Sequence, residues 1–204
     1  MTCLKYIIGL FGLSIALSCF SARCEESQVP DVTVKTVLTG DGIGANSANG
    51  ASSSALMAET IRLKGQNLRI DYDGGPKLRG SIYRIDGHTW LLSSGGTRAL
   101  PVAHLPLASA SRLDPDKPCW ELGFSCLQVE DRLVAGRRAT GWRYDHAGVA
   151  GPDGTDNGTF WIDRETGVVV SIKGKNASGR SLNMDAVSID YTPLPDSVMA
   201  LPAQ

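Results

Sequence analysis

The sequence has no surplus of one charge sign. Twenty Lys and Arg face twenty-one Asp and Glu, a formal net charge of −1, so nothing is available to neutralise a phosphate backbone and nucleic acid is not an expected partner. Histidine is scarce too. His88, His104 and His146 are the three in 204 residues, and none stands at ligand spacing from a cysteine pair, so no metal site is expected. No Gly-x-Ser-x-Gly elbow occurs. The adjacent carboxylates Glu130-Asp131 and Asp153/Asp156 are not read as acid–base pairs, because neighbours on a strand point to opposite faces and Asp in a Gly-rich turn serves turn geometry. Gly40-Asp41-Gly42-Ile43-Gly44-Ala45 follows a strand signal, but the Asn/Ser/Gly-rich run behind it cannot open the helix that a dinucleotide loop requires. Each histidine is read as exposed or structural, and neither a catalytic residue nor a cofactor is expected. No internal repeat is evident.

What is present bounds the class. With 42% hydrophobic and 20% charged residues, the chain has the material for a core and is not disordered as a whole. The 23 glycines in 204 residues are about 11%, against a usual share of about 7%, and imply many turns. Lys5 precedes the apolar run from Tyr6 to Phe20, which small residues and Glu25-Glu26-Ser27-Gln28 follow. That order reads as a secretory signal over residues 1–24. About fifteen apolar residues fall short of the roughly 20 that a spanning helix needs. Cleavage sites are offered at Ala16-Leu17-Ser18, Cys19-Phe20-Ser21 and Ala22-Arg23-Cys24. Ala16-Leu17-Ser18-Cys19 also resembles a loose lipobox, which would make Cys19 a lipidated N-terminus and the protein an outer-membrane lipoprotein instead of a free periplasmic one. Residues 25–204 are then a single domain.

Of five cysteines, Cys3 and Cys19 lie in the leader and Cys24 at the cut, which leaves Cys119 and Cys126. After export a disulfide between them is the expected product, with two reduced thiols or a metal as the alternatives. Asn157-Gly158-Thr159 and Asn176-Ala177-Ser178 fit the glycosylation pattern, which matters only in a eukaryotic secretory pathway.

Short strand signals recur along the chain, bounded by Gly, Asn, Asp or Pro. They cover 32–38, 56–63, 68–72, 82–85, 89–92, 97–102, 127–134, 138–144, 159–163, 168–173 and 181–191, with a Gly/Ser/Asn-rich loop over 40–54 that is expected to be mobile. Leu68-Arg69-Ile70-Asp71-Tyr72 alternates with period 2, so Leu68, Ile70 and Tyr72 share a face. Asp86-Gly87 joins two strands as a tight hairpin turn. Between Ala103 and Asp116 the period breaks, and Leu105, Leu107, Ala108 and Leu113 suit one side of a short helix ending before Pro115 and Pro118. Phe160-Trp161-Ile162 and Val168-Val169-Val170 are apolar on both faces. The fold class is therefore all-β, a strongly curved antiparallel sheet or unclosed barrel of about eleven strands with one helix.

Several segments, taken in order, resemble a known family. They are Asn67-Leu68-Arg69-Ile70-Asp71-Tyr72, the hairpin from Ile82 to Leu92, Val134-Ala135-Gly136-Arg137-Arg138-Ala139-Thr140-Gly141-Trp142, Phe160-Trp161-Ile162-Asp163-Arg164-Glu165-Thr166-Gly167, and the tail from Pro193 to Pro202. The succession is similar to the LolA/LolB-like lipoprotein-carrier superfamily, and more closely to its uncharacterised exported branch. Met199 stands where the tail often has an aromatic residue. The resemblance implies an unclosed barrel of about eleven strands around a hydrophobic cavity, lidded by short helices, that shelters acyl chains in the periplasm. Tyr72, Trp90, Trp142 and Trp161 fall on separate strands and are either plain core or the lining of a lipid site. The expected function is non-enzymatic binding of an acyl chain or lipidated protein. The alternative is an envelope protein-interaction module with a packed core and no ligand.

Overall fold

In the computed structural model of the protein, residues 29–41, 55–76, 78–103 and 110–202 are described. The expected signal segment, Cys19, His104 and most of the 40–54 loop lie outside them. Among the described residues there are eleven strands: β1 (Val32–Gly40), β2 (Ala55–Lys64), β3 (Asn67–Asp73), β4 (Arg79–Ile85), β5 (His88–Ser93), β6 (Leu100–Pro101), β7 (Cys126–Val134), β8 (Arg137–Tyr144), β9 (Asn157–Asp163), β10 (Val169–Lys175) and β11 (Ser181–Asp190). They form one sheet in the order β6-β5-β4-β3-β2-β1-β11-β10-β9-β8-β7, with every pairing antiparallel. The order does not close on itself. The mostly-β, unclosed architecture read from the sequence is the one found, and β1 against β11 joins two arms, β1 to β6 and β7 to β11.

Local chemistry explains most element ends. Asp86 and Gly87 both take positive φ, 49° and 79°, as the tight hairpin turn between β4 and β5 demands. The Trp161-Ile162-Asp163 segment ends in a turn built on one carboxylate. Asp163, 1% exposed in its side chain, accepts from the backbone N–H of Glu165 and Thr166 and from Thr166 Oγ1, each at 3.0 Å, and from Arg137 Nε at 2.8 Å. Burial works to raise its pKa, yet these donors outweigh it and hold the carboxyl below the usual range. Bulges interrupt β1 against β11 at Lys35/Thr36, β10 against β9 between Val169 and Ser171, and β7 against β8 between Val129 and Arg132. The last contains Glu130 and Asp131, both exposed.

The helix expected between Ala103 and Asp116 falls largely on 104–109, which lie outside the described residues. Ala110, the first described residue after them, is in a 3-10 turn, Arg112 forms a bridge to Val168, and Leu113 is buried. The one α-helix among the described residues, α1, is Pro118–Leu122. Pro118 opens it, since a proline in the first turn gives up no hydrogen bond, and Gly123 closes it in the left-handed conformation. Cys119 and Cys126 are bridged, with Cα atoms 6.0 Å apart, and the bridge ties α1 to the start of β7.

Candidate functional site

Cross-strand partners in an antiparallel sheet share a face, so register decides which side chains line the inner wall. One row runs Val34, Ile61, Ile70, Ile82, Leu91, Leu100 from β1 to β6. Exposure climbs along it. Val34, Ile61 and Ile70 are 0%, 1% and 4% exposed, Ile82 and Leu91 are half-buried, and Leu100 is 57% exposed. The row beside it, Val32, Leu63, Leu68, Arg84, Thr89, changes in the same direction, from fully buried Val32 to half-buried Arg84 and Thr89. The row on the other side is Thr36, Glu59, Tyr72, Gly80, Ser93.

Polar groups therefore flank an apolar strip. Thr36 Oγ1 donates to the Glu59 carboxylate at 3.3 Å. Burial, with Asp153 adding like charge, pushes the Glu59 carboxyl up to about 7, and the Thr36 bond only partly offsets this. Burial also raises Tyr72. Its hydroxyl stands over Gly80, where a Cβ would come within 2.6 Å of that oxygen and 2.5 Å of the Leu92 carbonyl oxygen. Only glycine leaves the tyrosine this position.

The other arm buries more of its inner row. Its inner row is Leu38, Met184, Ile172, Phe160, Trp142, and Met184, Ile172 and Phe160 are fully buried. Leu113, Cys119, Leu122 and Phe124 pack into the same cluster. The Phe124 and Tyr144 rings are 5.4 Å apart, and those of Tyr144 and Phe160 5.7 Å.

No protein-family model matches the sequence, and no curated protein matches it. Solved structures do match in shape. An uncharacterised conserved protein from Thermus thermophilus aligns over 84% of each chain at TM-score 0.53 and 7% identity. MucB aligns at TM-score 0.52 and 16% identity over 86% of this chain, which spans 58% of the MucB chain. The fold is the one these two structures share. A LolA superfamily protein from Nitrosomonas europaea overlays more loosely, at TM-score 0.40 and 8% identity over 84% of this chain and 90% of its own.

Within that sheet the four aromatic residues singled out from the sequence do not all share one interior. Tyr72 and Trp142 are on the inner face, opposite Glu59 and Phe160. Trp90 pairs with Tyr83 on the outer face, where the Arg69 guanidinium lies 5.2 Å from the Tyr83 ring centre. Trp161 is half-buried and packs against the cluster that includes Val34, Ile61 and Ile70. It lies opposite Ser171 and Gly141, with the Arg132 guanidinium 3.8 Å from its ring centre and its Nε1 donating to the Glu130 carbonyl at 3.3 Å. Arg132 also donates to Asp185 at 2.9 Å and to Ser171.

Two open clefts have mixed linings. One of about 440 Å³ includes Thr60, Asp71, Tyr72, Arg79, Ser81 and Leu92, and one of about 680 Å³ includes Ser125, Leu127, Arg143, Tyr144, Asn157 and Thr159. Among the described residues no group of three or more His, Cys, Asp or Glu is placed to hold a metal ion. His88 and His146 are exposed.

Sequence reasoning passed over Glu59 and Arg84. A signal was present for both, since Met57-x-Glu59-x-Ile61-x-Leu63 and Gly80-x-Ile82-x-Arg84 each put a charge at the spacing of a buried apolar set.

Proposed function

We propose that this protein is an exported, non-catalytic binding protein of the cell envelope that shelters the acyl chain of a lipid or lipidated protein against the inner wall of β3 to β5. The observation that carries this reading is the rise in exposure along Val34, Ile61, Ile70, Ile82 and Leu91, a continuous apolar strip that the fold covers at one end and leaves half open at the other. Each chain methylene buried there contributes about 0.8 kcal/mol, so a long chain is held with little dependence on salt. Tyr72 borders the strip. The leader-like N-terminus and the Cys119–Cys126 bridge support a location outside the cytoplasm.

A second reading is an interaction module for an envelope protein. Trp120 and Leu127, 86% and 64% exposed, sit next to the two bridged cysteines and favour it. Native mass spectrometry of gently purified protein, together with displacement of a fluorescent fatty-acid probe, separates the two. A copurifying acyl ligand, and probe binding lost in Ile82→Asp but kept in Trp120→Ser, supports the carrier. Reproducible absence of ligand and of probe binding supports the module.

A further inference from the structure

Arg84 stands apart from the other half-buried arginines. Arg62 and Arg69 pair with Asp71, Arg132 with Asp185, and Arg137 with Asp163 and Glu165. Arg112 donates to the carbonyls of Pro30 and Thr166. Among the described residues Arg84 makes no hydrogen bond and no ion pair. Register puts it on the inner face, between Leu68 and Thr89 and one row from Ile82. Burial alone lowers its pKa, and no acidic group counters that effect. A guanidinium partly removed from water with no acceptor is costly, because its five donors keep neither full hydration nor a partner. Its nitrogens are nevertheless not among the fully enclosed unpaired atoms, which are Arg112 Nε, Arg132 Nε and Trp142 Nε1. The head is within reach of an incoming group.

We infer that Arg84 is the anchor for an anionic headgroup, a carboxylate or phosphate monoester joined to the acyl chain that lies along Ile82 and Leu91. The inference rests on the acyl-binding reading above and names the ligand's charge. Planar donors on Arg84 suit either anion through paired N–H bonds. Orientation follows from the same wall. Gly80 lies four residues along β4 from Arg84, about 13 Å at strand rise, and Gly80 shares its row with Glu59. Asp153 is close enough to add to the rise in the Glu59 pKa, so that flank carries acidic groups, with Glu59 part-protonated near neutrality. An anion is drawn to the Arg84 flank and repelled from the other, so the headgroup sits at Arg84 and the chain crosses the apolar strip.

The test compares two ligands of equal chain length, hexadecanoate and hexadecanol, by displacement of an environment-sensitive fluorescent probe from the full chain, with inorganic phosphate as a chainless anion. Wild type is expected to bind hexadecanoate at least about ten-fold more tightly than hexadecanol, as a charge-assisted pair provides. In Arg84→Gln the ratio falls to within two-fold, in Arg84→Lys it is intermediate, and in Arg180→Gln, at an exposed turn, it is unchanged. Thermal melts confirm that each variant folds. Hexadecanol binding without anion preference, or a preference that survives Arg84→Gln, overturns the anchor and leaves the carrier reading standing. Displacement by phosphate alone at millimolar concentration reassigns the site to a free anion and overturns the lipid headgroup. Failure of both chains to bind overturns the carrier reading and the anchor with it.

Discussion

Phe160 on β9 and Ile82 on β4 belong to the same inner face, on opposite arms of one sheet, yet Phe160 is fully buried and Ile82 is not. The strands do not explain the difference, for both arms alternate and pair in the same way. What differs is the covering. Residues Leu113, Cys119, Leu122 and Phe124, held by the bridge to Cys126, fill the arm that carries Phe160, whereas among the described residues the wall of β4 and β5 keeps part of its apolar surface exposed. One arm is filled by the chain itself, and the other leaves part of its apolar surface open.

Substitutions break the comparison if the arms respond alike. The largest effect is expected from Phe160→Ala, about 3–5 kcal/mol in urea unfolding, since it opens a cavity in a filled core. Next is the pH dependence that Glu59 contributes. Its folded pKa, about 7, lies above the ordinary 4.5, so the folded state holds the proton more tightly. The stabilisation is fully present below about pH 4.5 and is lost as pH rises through about 7, a swing of about 3 kcal/mol. Asp71 and Asp163 have lowered pKa values, and their contribution is lost only at more acid pH. Unfolding measured between pH 5 and 8 therefore isolates Glu59, and Glu59→Gln should flatten the profile.

Cys119→Ser is expected to cost about 2.5 kcal/mol by the loop-entropy model. Hydrogen exchange should accelerate in 113–126 and leave β3 to β5 unchanged. Equal loosening of both arms would show that the bridge supports the whole sheet. The smallest effect belongs to Leu91→Ala, about 1 kcal/mol or less in urea, because the side chain is already half in water. A cost matching that of Phe160→Ala would show the two arms to be equally closed.

Much of the fold was legible in the sequence because strands and turns are local. Period 2 in Leu68-Arg69-Ile70-Asp71-Tyr72 and the Asp86-Gly87 turn depend on neighbouring residues only. The helix at Pro118–Leu122 was missed because Pro118 was read as a stop, although proline is equally suited to a first turn. Assignment of the aromatic residues to faces needed register across strands distant in sequence and the positions of three bulges, so the sequence alone does not tell that Trp90 faces away from Tyr72. Arg84 and Glu59 were open to view as charges in apolar alternation, but which of them lacks a counter-ion is a tertiary fact.

The two free rims of the sheet are β6, only two residues long, and β7, broken by the bulge at Glu130-Asp131. A long straight rim would invite other copies to zip on through their backbones, the first step toward fibrils. A stub at one end and a kinked, doubly acidic strand at the other make a poor template for such pairing.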